Sequence, residues 1–455
     1  MTQSIIQLKS QQVILPHGAR PASILIQDGT IISLQDYDYE DQKVSQIYDY
    51  QDAAILPGLV DSHVHVNEPG RTDWEGFDTA THAAAAGGIT TVIDMPLNCI
   101  PVTINAAAFA EKLAVLDDKL FIDTGFWGGA TADNFVELPE LLNNGVFGVK
   151  SFTIYSGLEE FKAVNRDQLL NSMRVVAKQG LPHLIHAELE PEGTKTASIG
   201  KSYQSFLKTR PADWETNAIA MVIEIMQILT KEGLKPHAHI VHLSAASALP
   251  IIRSARASGL NLTVETCPHY LVLHAEAIPD GEASYKCCPP IREQDNQALL
   301  WQALKDGDID CIVSDHSPCT PQLKNIDSGD LESAWGGISG LQFGLSLIWT
   351  EARHKGFSLL EITKLMAEKP ADLLGLTHKG RIEIGAQADF CIFAPDQGYT
   401  INEHCIHHKH KVSPYIGRKV DGVIKATWLA GRPIYADGEF CSPSRGKALL
   451  KGRYK

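Results

Sequence analysis

Short β-branched runs alternate with longer helical patterns from about residue 58 to residue 375, and this alternation restricts the folds open to the chain more than any single motif does. The runs are Leu59 to His65, Thr90 to Met95, Phe121 to Phe126, Val146 to Phe152, His183 to Ala187, His239 to Leu243, Leu262 to Thr266 and Cys311 to Ser314. Helical stretches separate them. Asp73 to Ala86 ends in Gly87-Gly88, as helices often do, and Asp213 to Glu232 carries an aliphatic stripe. Strands each followed by a helix, in this number, are the pattern of an α/β fold, the (β/α)8 TIM barrel, whose active site lies at the C-terminal ends of the strands.

The flanks read differently. Residues 1–56 alternate short strands with polar turns, as in Gln11-Gln-Val-Ile-Leu15 and Ala22-Ser-Ile-Leu-Ile26. Residues 381–455 repeat that style in Ala388-Asp-Phe-Cys-Ile-Phe393 and Val423-Ile-Lys-Ala-Thr-Trp428. The simplest arrangement packs both chain ends together as one small composite β-sandwich beside a barrel formed by residues 57–380. A length of 455 residues accommodates both.

Composition excludes several function classes. A net charge of −14 argues against gripping nucleic acid through its phosphates. No run of 18 or more apolar residues is present to span a membrane. The first residues lack a basic segment followed by a long apolar core, so no secretory signal is expected. The 9 cysteines are scattered without a Cys-x-x-Cys pair, and Cys287 and Cys288 are adjacent, which suits a reducing cytoplasm.

Candidate chemistry sits where a barrel would put it. His63 and His65 are separated by one residue, and in a strand such a pair leaves the same face. His186 closes Pro182-His-Leu-Ile-His186, His242 closes Ala238-His-Ile-Val-His242, Asp315 follows Asp310-Cys-Ile-Val-Ser314, and Lys150 lies in the fourth strand. Each alone has a commoner reading, since a strand-end His is more often hydrogen-bonded within the core and an Asp after a strand is usually a turn or helix cap. Together, at equivalent ends of different strands, they reinforce one another. His183 and His239, three residues from His186 and His242, fall on the opposite strand face. Four histidines and one aspartate suit two cations, but two dications call for more anionic charge. A neutral Lys150 amine that captured carbon dioxide would become a bridging carbamate, although spacing alone does not separate this from an ordinary strand lysine.

Taken in order, Asp61-Ser-His63-Val-His65, the Lys150 strand, His186, Val241-His-Leu-Ser244, Glu265-Thr-Cys-Pro-His-Tyr270 and Ser314-Asp-His-Ser-Pro318 resemble the amidohydrolase superfamily. Within it, the resemblance is to the cyclic-amidase branch of dihydroorotases, hydantoinases and allantoinases. It covers nearly the whole chain. It implies two divalent metal ions, zinc first and cobalt, nickel, manganese or iron compatible with the same donors. Their ligands would be His63, His65, N6-carboxylated Lys150, His186, His242 and Asp315. It also implies a homotetramer.

Three segments are similar to allantoinases: Asn67 to Phe77, Asp94-Met-Pro-Leu-Asn-Cys-Ile-Pro101, and Ala334 to Gln342 following Asp315-His-Ser-Pro-Cys319. A dihydroorotase resembling this chain would carry arginine at position 67, whereas Asn67 hydrogen-bonds a neutral amide and offers no charge to a carboxylate. The activity implied is hydrolysis of allantoin, or a related hydantoin, to allantoate in purine catabolism. A metal-bridging hydroxide would attack, and Asp315 would serve as general base and acid. Asn67, Asn98, Tyr155, Cys288 and Ser317 are the expected substrate contacts. Tyr155, five residues after Lys150, is also a hydantoinase feature and keeps that alternative open. A dihydroorotase is less favoured because position 67 is asparagine, and a non-catalytic scaffold of this fold because all six ligand positions are filled. His404 to His410 reads as a packing loop and His269 as support near the site.

Overall fold

The computed structural model describes residues 4–194, 198–441, 443 and 446–452, so the outermost residues of both expected end segments lie outside the described residues. The barrel strands are Leu59–Val64, Ile89–Asp94, Asp123–Phe126, Val149–Phe152, Pro182–His186, His237–Ile240, Asn261–Thr266 and Cys311–Ile312, matching the expected runs in order. They pair in parallel as a 3-stranded and a 6-stranded arc. The third strand belongs to both arcs: Asp123–Phe126 pairs with the second strand, and after Trp127 its continuation Gly128–Gly129 pairs with the fourth. A parallel bridge between Val64 and His316, with the His65 amide donating to the His316 carbonyl at 2.8 Å, joins first and eighth strands and closes the ring.

Helices cover the outside for reasons visible in their sequences. Ala212–Lys231 has Asp213 and Glu215 in its first turn and Lys231 in its last, complementing the helix dipole. Its buried stripe of Ala218, Ile219, Val222, Ile225, Met226 and Leu229 follows helical periodicity. Arg166–Lys178 begins at a reciprocal cap between Asn165 and Gln168. The helix expected from Asp73 instead begins at Phe77, because Gly76 takes φ 136, a left-handed value outside any right-handed helix. Gly88, at φ 80, lets the other end of that helix approach the end domain, since a Cβ there would lie 2.4 Å from Cys391 Sγ.

Both chain ends share one 9-stranded sheet rather than two separate sheets. Its seam is the antiparallel pairing of Ala54–Pro57 with Phe390–Thr400, with Ile392 opposite Ile55. Ile5–Leu15 bends at an irregularity between Ser10 and Val13 and pairs with three different strands. The sheet therefore curls, and the Tyr48 and Trp428 rings meet edge-on at 4.7 Å over a common core that includes Leu8, Ile24, Ile55, Phe390 and Ile392. Among the described residues no helix is long and apolar enough to cross a membrane.

One buried ion cluster ties this sheet to the barrel. Lys379 Nζ lies 2.8 Å from Asp123 on the third barrel strand and 2.7 Å from Asp389 beside the seam, with all three side chains almost fully buried. Removing the cation leaves two buried carboxylates facing each other. Lys379→Met is expected to destabilise the protein by about 3–5 kcal/mol, read as a lower denaturant midpoint with little change in the slope of the transition.

Candidate metal centre

Six side chains expected from sequence converge at the C-terminal end of the barrel. His63 and His65 leave the end of the first strand, Lys150 lies on the fourth and His186 ends the fifth. His242 and Asp315 follow the sixth and eighth strands at φ 40 and 45, left-handed turns that swing each side chain inward. Asp315 Oδ1 is 3.1 Å from His63 Nε2 and 3.5 Å from His65 Nε2. Lys150 Nζ is 3.0 Å from His63 Nε2, and His186 Nδ1 is 3.0 Å from His242 Nε2. His63, His65 and Asp315 each offer a ligand atom within 4.8 Å of the others.

The inner nitrogens face one another, and in three of the four imidazoles the opposite ring nitrogen is held from outside. His63 Nδ1 meets Glu265 Oε1 at 2.5 Å, His186 Nε2 meets Glu188 Oε2 at 2.7 Å, and His65 Nδ1 meets the Asn98 amide nitrogen at 3.3 Å. Such outer contacts orient the imidazoles and, where they are carboxylates, raise ligand basicity. Contrary to the expectation that it faces away, His239 shares the inward face of Lys150, since the register aligns Lys150 with Leu184 and Leu184 with His239. Its Nε2 meets Glu265 at 2.9 Å, and His242 reaches that face only through its left-handed turn.

Burial governs the charge states. It pulls His65 down to about 3 and His242 well below the usual imidazole value, leaving neutral rings with lone pairs to donate. Burial alone would raise the Asp315 carboxyl, yet the adjacent His63, with hydrogen bonds from His63 and His65, holds it well below the usual carboxylate range. Burial lowers Lys150 to about 8 against the attraction of Asp315 and Glu265. Its amine touches His63 and lies 5.0 Å from the Phe152 ring centre, and among the described residues it forms no ion pair.

His65, Lys150, His186, His242 and Asp315 form the floor of a cavity of about 490 Å³ whose walls include Asn98, Tyr155, Arg210, Lys286, Cys288, Ser317 and Trp335, with His63 buried beneath it. A larger groove of about 890 Å³ lies on the end sheet between Tyr48, Trp428 and Arg432, but none of the six donors reaches it. Asn98, Cys288 and Ser317, expected from sequence, all line this cavity. The Ser317 amide already donates to the Ile338 carbonyl, leaving its side chain and carbonyl to a ligand. Tyr155 is at the rim, 57% exposed, with its hydroxyl donating to Glu159. Asn67 is not brought to the cavity wall: its φ of 68 turns the buried amide onto the Pro318 carbonyl at 3.1 Å. It therefore steadies the loop after Asp315.

His408 of the tail packs against His316 with ring centres 5.3 Å apart, next to Glu75, and the His404 to His410 segment joins none of the clustered metal-donor groups among the described residues. Sequence reasoning missed Glu265, Glu188 and Arg210. A carboxylate inside the otherwise buried strand Asn261–Thr266 was the available signal for Glu265.

Residues 54–434 match the amidohydrolase family. The chain is 48% identical to the allantoinase of Streptomyces avermitilis, covering 98% of both chains. It is 40% identical to the allantoinase of Saccharomyces cerevisiae over 98% of this chain and 99% of that one. Among solved structures it superposes on the L-hydantoinase (dihydropyrimidinase) of Arthrobacter aurescens with a TM-score of 0.90 at 27% identity, covering 99% of this chain and 100% of that one. The chain belongs to the amidohydrolase family.

Glu265→Gln removes the anion that two histidines share while keeping the side-chain volume. Metal affinity should fall by roughly 10–100-fold, measured as metal retained after dialysis against a graded chelator.

Proposed function

We propose that this chain, as a member of the amidohydrolase family, hydrolyses the cyclic amide bond of allantoin to give allantoate at a centre of two divalent cations. The observation that carries this reading is the convergence of His65, Lys150, His186, His242 and Asp315 on one cavity floor, with His63 directly beneath against Lys150 and Asp315, in a chain whose similar relatives are allantoinases. The donors suit such cations: neutral imidazoles, a carboxylate and an amine that forms no ion pair among the described residues. Addition of carbon dioxide to that amine forms an N–C bond, releases one proton and leaves a carbamate anion on Lys150. Zinc is the metal proposed, with the same donors serving cobalt, nickel, manganese or iron.

When bound, the cations supply a hydroxide nucleophile at neutral pH and a Lewis acid for the carbonyl oxygen. Asp315 takes the proton released as the nucleophile attacks and delivers it to the departing amide nitrogen, so the ring C–N bond breaks with its proton count closed. Asn98 holds His65 in place from behind, while Cys288 and Ser317 line the wall against which the ring rests. Residues 57–380 form the catalytic domain and the two chain ends its companion. By the same family likeness the working unit is a homotetramer, and the scattered cysteines suit a reducing cytoplasm.

A second reading, hydantoinase or dihydropyrimidinase activity, draws on Tyr155 at the cavity rim and on the likeness to the Arthrobacter enzyme. Allantoin, hydantoin, dihydrouracil and dihydroorotate assayed side by side on metal-replete protein separate the two. The highest kcat/KM is expected for allantoin. A preference for hydantoin or dihydrouracil would transfer the assignment to the second reading, and a preference for dihydroorotate would contradict both. Asp315→Ala is expected to lower kcat by roughly 10²–10⁴-fold or more with an unchanged circular dichroism spectrum. Chelation should abolish turnover, and added metal should restore it.

A further inference from the structure

Of the cations lining the cavity, Lys286 is committed to the protein: its amine donates to the carbonyls of Glu332 at 3.2 Å and Ala334 at 2.6 Å. Arg210 is not committed in the same way. Its side chain is 21% exposed and faces the cavity, and among the described residues its guanidinium has a single hydrogen-bond partner, NH1 to Glu188 Oε2 at 2.6 Å. The remaining N–H groups of that planar fork are unspent.

The arginine is also rigidly placed. It precedes Pro211, which opens the helix Ala212–Lys231. Its carbonyl accepts from Arg292 NH1 at 3.1 Å, and Arg292 is itself paired with buried Glu215 at 2.6 Å. Glu215 in turn accepts the amides of Ser244 and Ala245, which follow His242. Glu188 Oε2 bridges Arg210 to His186 Nε2, so the position of the fork is registered against the metal centre through one carboxylate.

We propose that Arg210 recognises the ureido side chain of the substrate, donating from its free N–H groups to the ureido carbonyl oxygen while Glu188 holds it in register with the ring-opening site. The inference rests on the reading of the substrate as allantoin. A guanidinium offers paired, directional donors that a planar urea oxygen accepts well, and a lysine amine does not reproduce that fork. An unsubstituted hydantoin ring carries no ureido group and makes no use of it. Arg210 thereby distinguishes substituted from unsubstituted rings, a selection that Asn67 does not make from its position away from the cavity.

The test measures kcat and KM for allantoin, the inhibition constant of hydantoin competing against allantoin, and metal content, in wild type, Arg210→Lys and Arg210→Met. Arg210→Lys retains a cation beside Glu188 and guards against misfolding of the methionine variant. Both variants are expected to raise KM for allantoin by about 10–100-fold, the loss of a hydrogen bond from a charged donor. The hydantoin constant should stay within about twofold and metal content should be unchanged. An unchanged KM, a parallel weakening of hydantoin, or a loss of metal in step with activity would overturn the proposal; the last would reduce Arg210 to a counter-ion for Glu188. A wild-type protein that does not hydrolyse allantoin would instead overturn the functional reading itself.

Discussion

Lys150 sets the constraint around which the active end of the barrel is arranged. The residue is 1% exposed and its amine is in contact with the His63 imidazole, in a space where an unpaired ammonium would be costly. Burial moves the equilibrium toward the neutral amine, the form able to capture carbon dioxide. On the proposed reading, carbon dioxide adding to that neutral amine would supply the second anion that two dications between neutral imidazoles call for. The surrounding residues make sense on those terms: Asp315 is the other inner anion, and Glu265 and Glu188 stay one layer out, each behind an imidazole.

That layered arrangement draws on many separate parts of the chain. Glu265 comes from the seventh strand to steady a histidine on the first, Asn98 from beyond the second to steady His65, and Glu188 from beyond the fifth to steady His186. A closed ring of parallel strands brings such distant segments to one rim, and the Val64 to His316 bridge makes the closure next to the candidate donors His65 and Asp315. The end sheet reaches the same framework through Lys379, whose two carboxylate partners belong to the barrel and to the seam.

Most of the candidate donors were legible in the sequence because they depend on local rules: His63, His65, Lys150 and His186 follow a strand and its period of two, whereas His242 and Asp315 stand after strand ends and are turned inward by positive φ. Features that depend on backbone handedness or on long-range neighbours were less legible. The helix expected at Asp73 starts at Phe77 because of one glycine dihedral, and Asn67, polar and close to a ligand, turns away because its own φ is positive. Glu265 stood in plain view as a carboxylate in a buried strand, but its partner His63 is 202 residues away. Arg210 lies outside every strand and reaches the cavity only through the helix it precedes and the anion it meets.

Carbon-13 NMR of the metal-replete protein prepared in 13C-bicarbonate tests the role of Lys150 most directly. One carbamate resonance per subunit is expected, lost on removal of the metal and absent from Lys150→Ala. A protein that binds two metals per subunit and turns over allantoin without that resonance would rule out a Lys150 carbamate as the second inner anion.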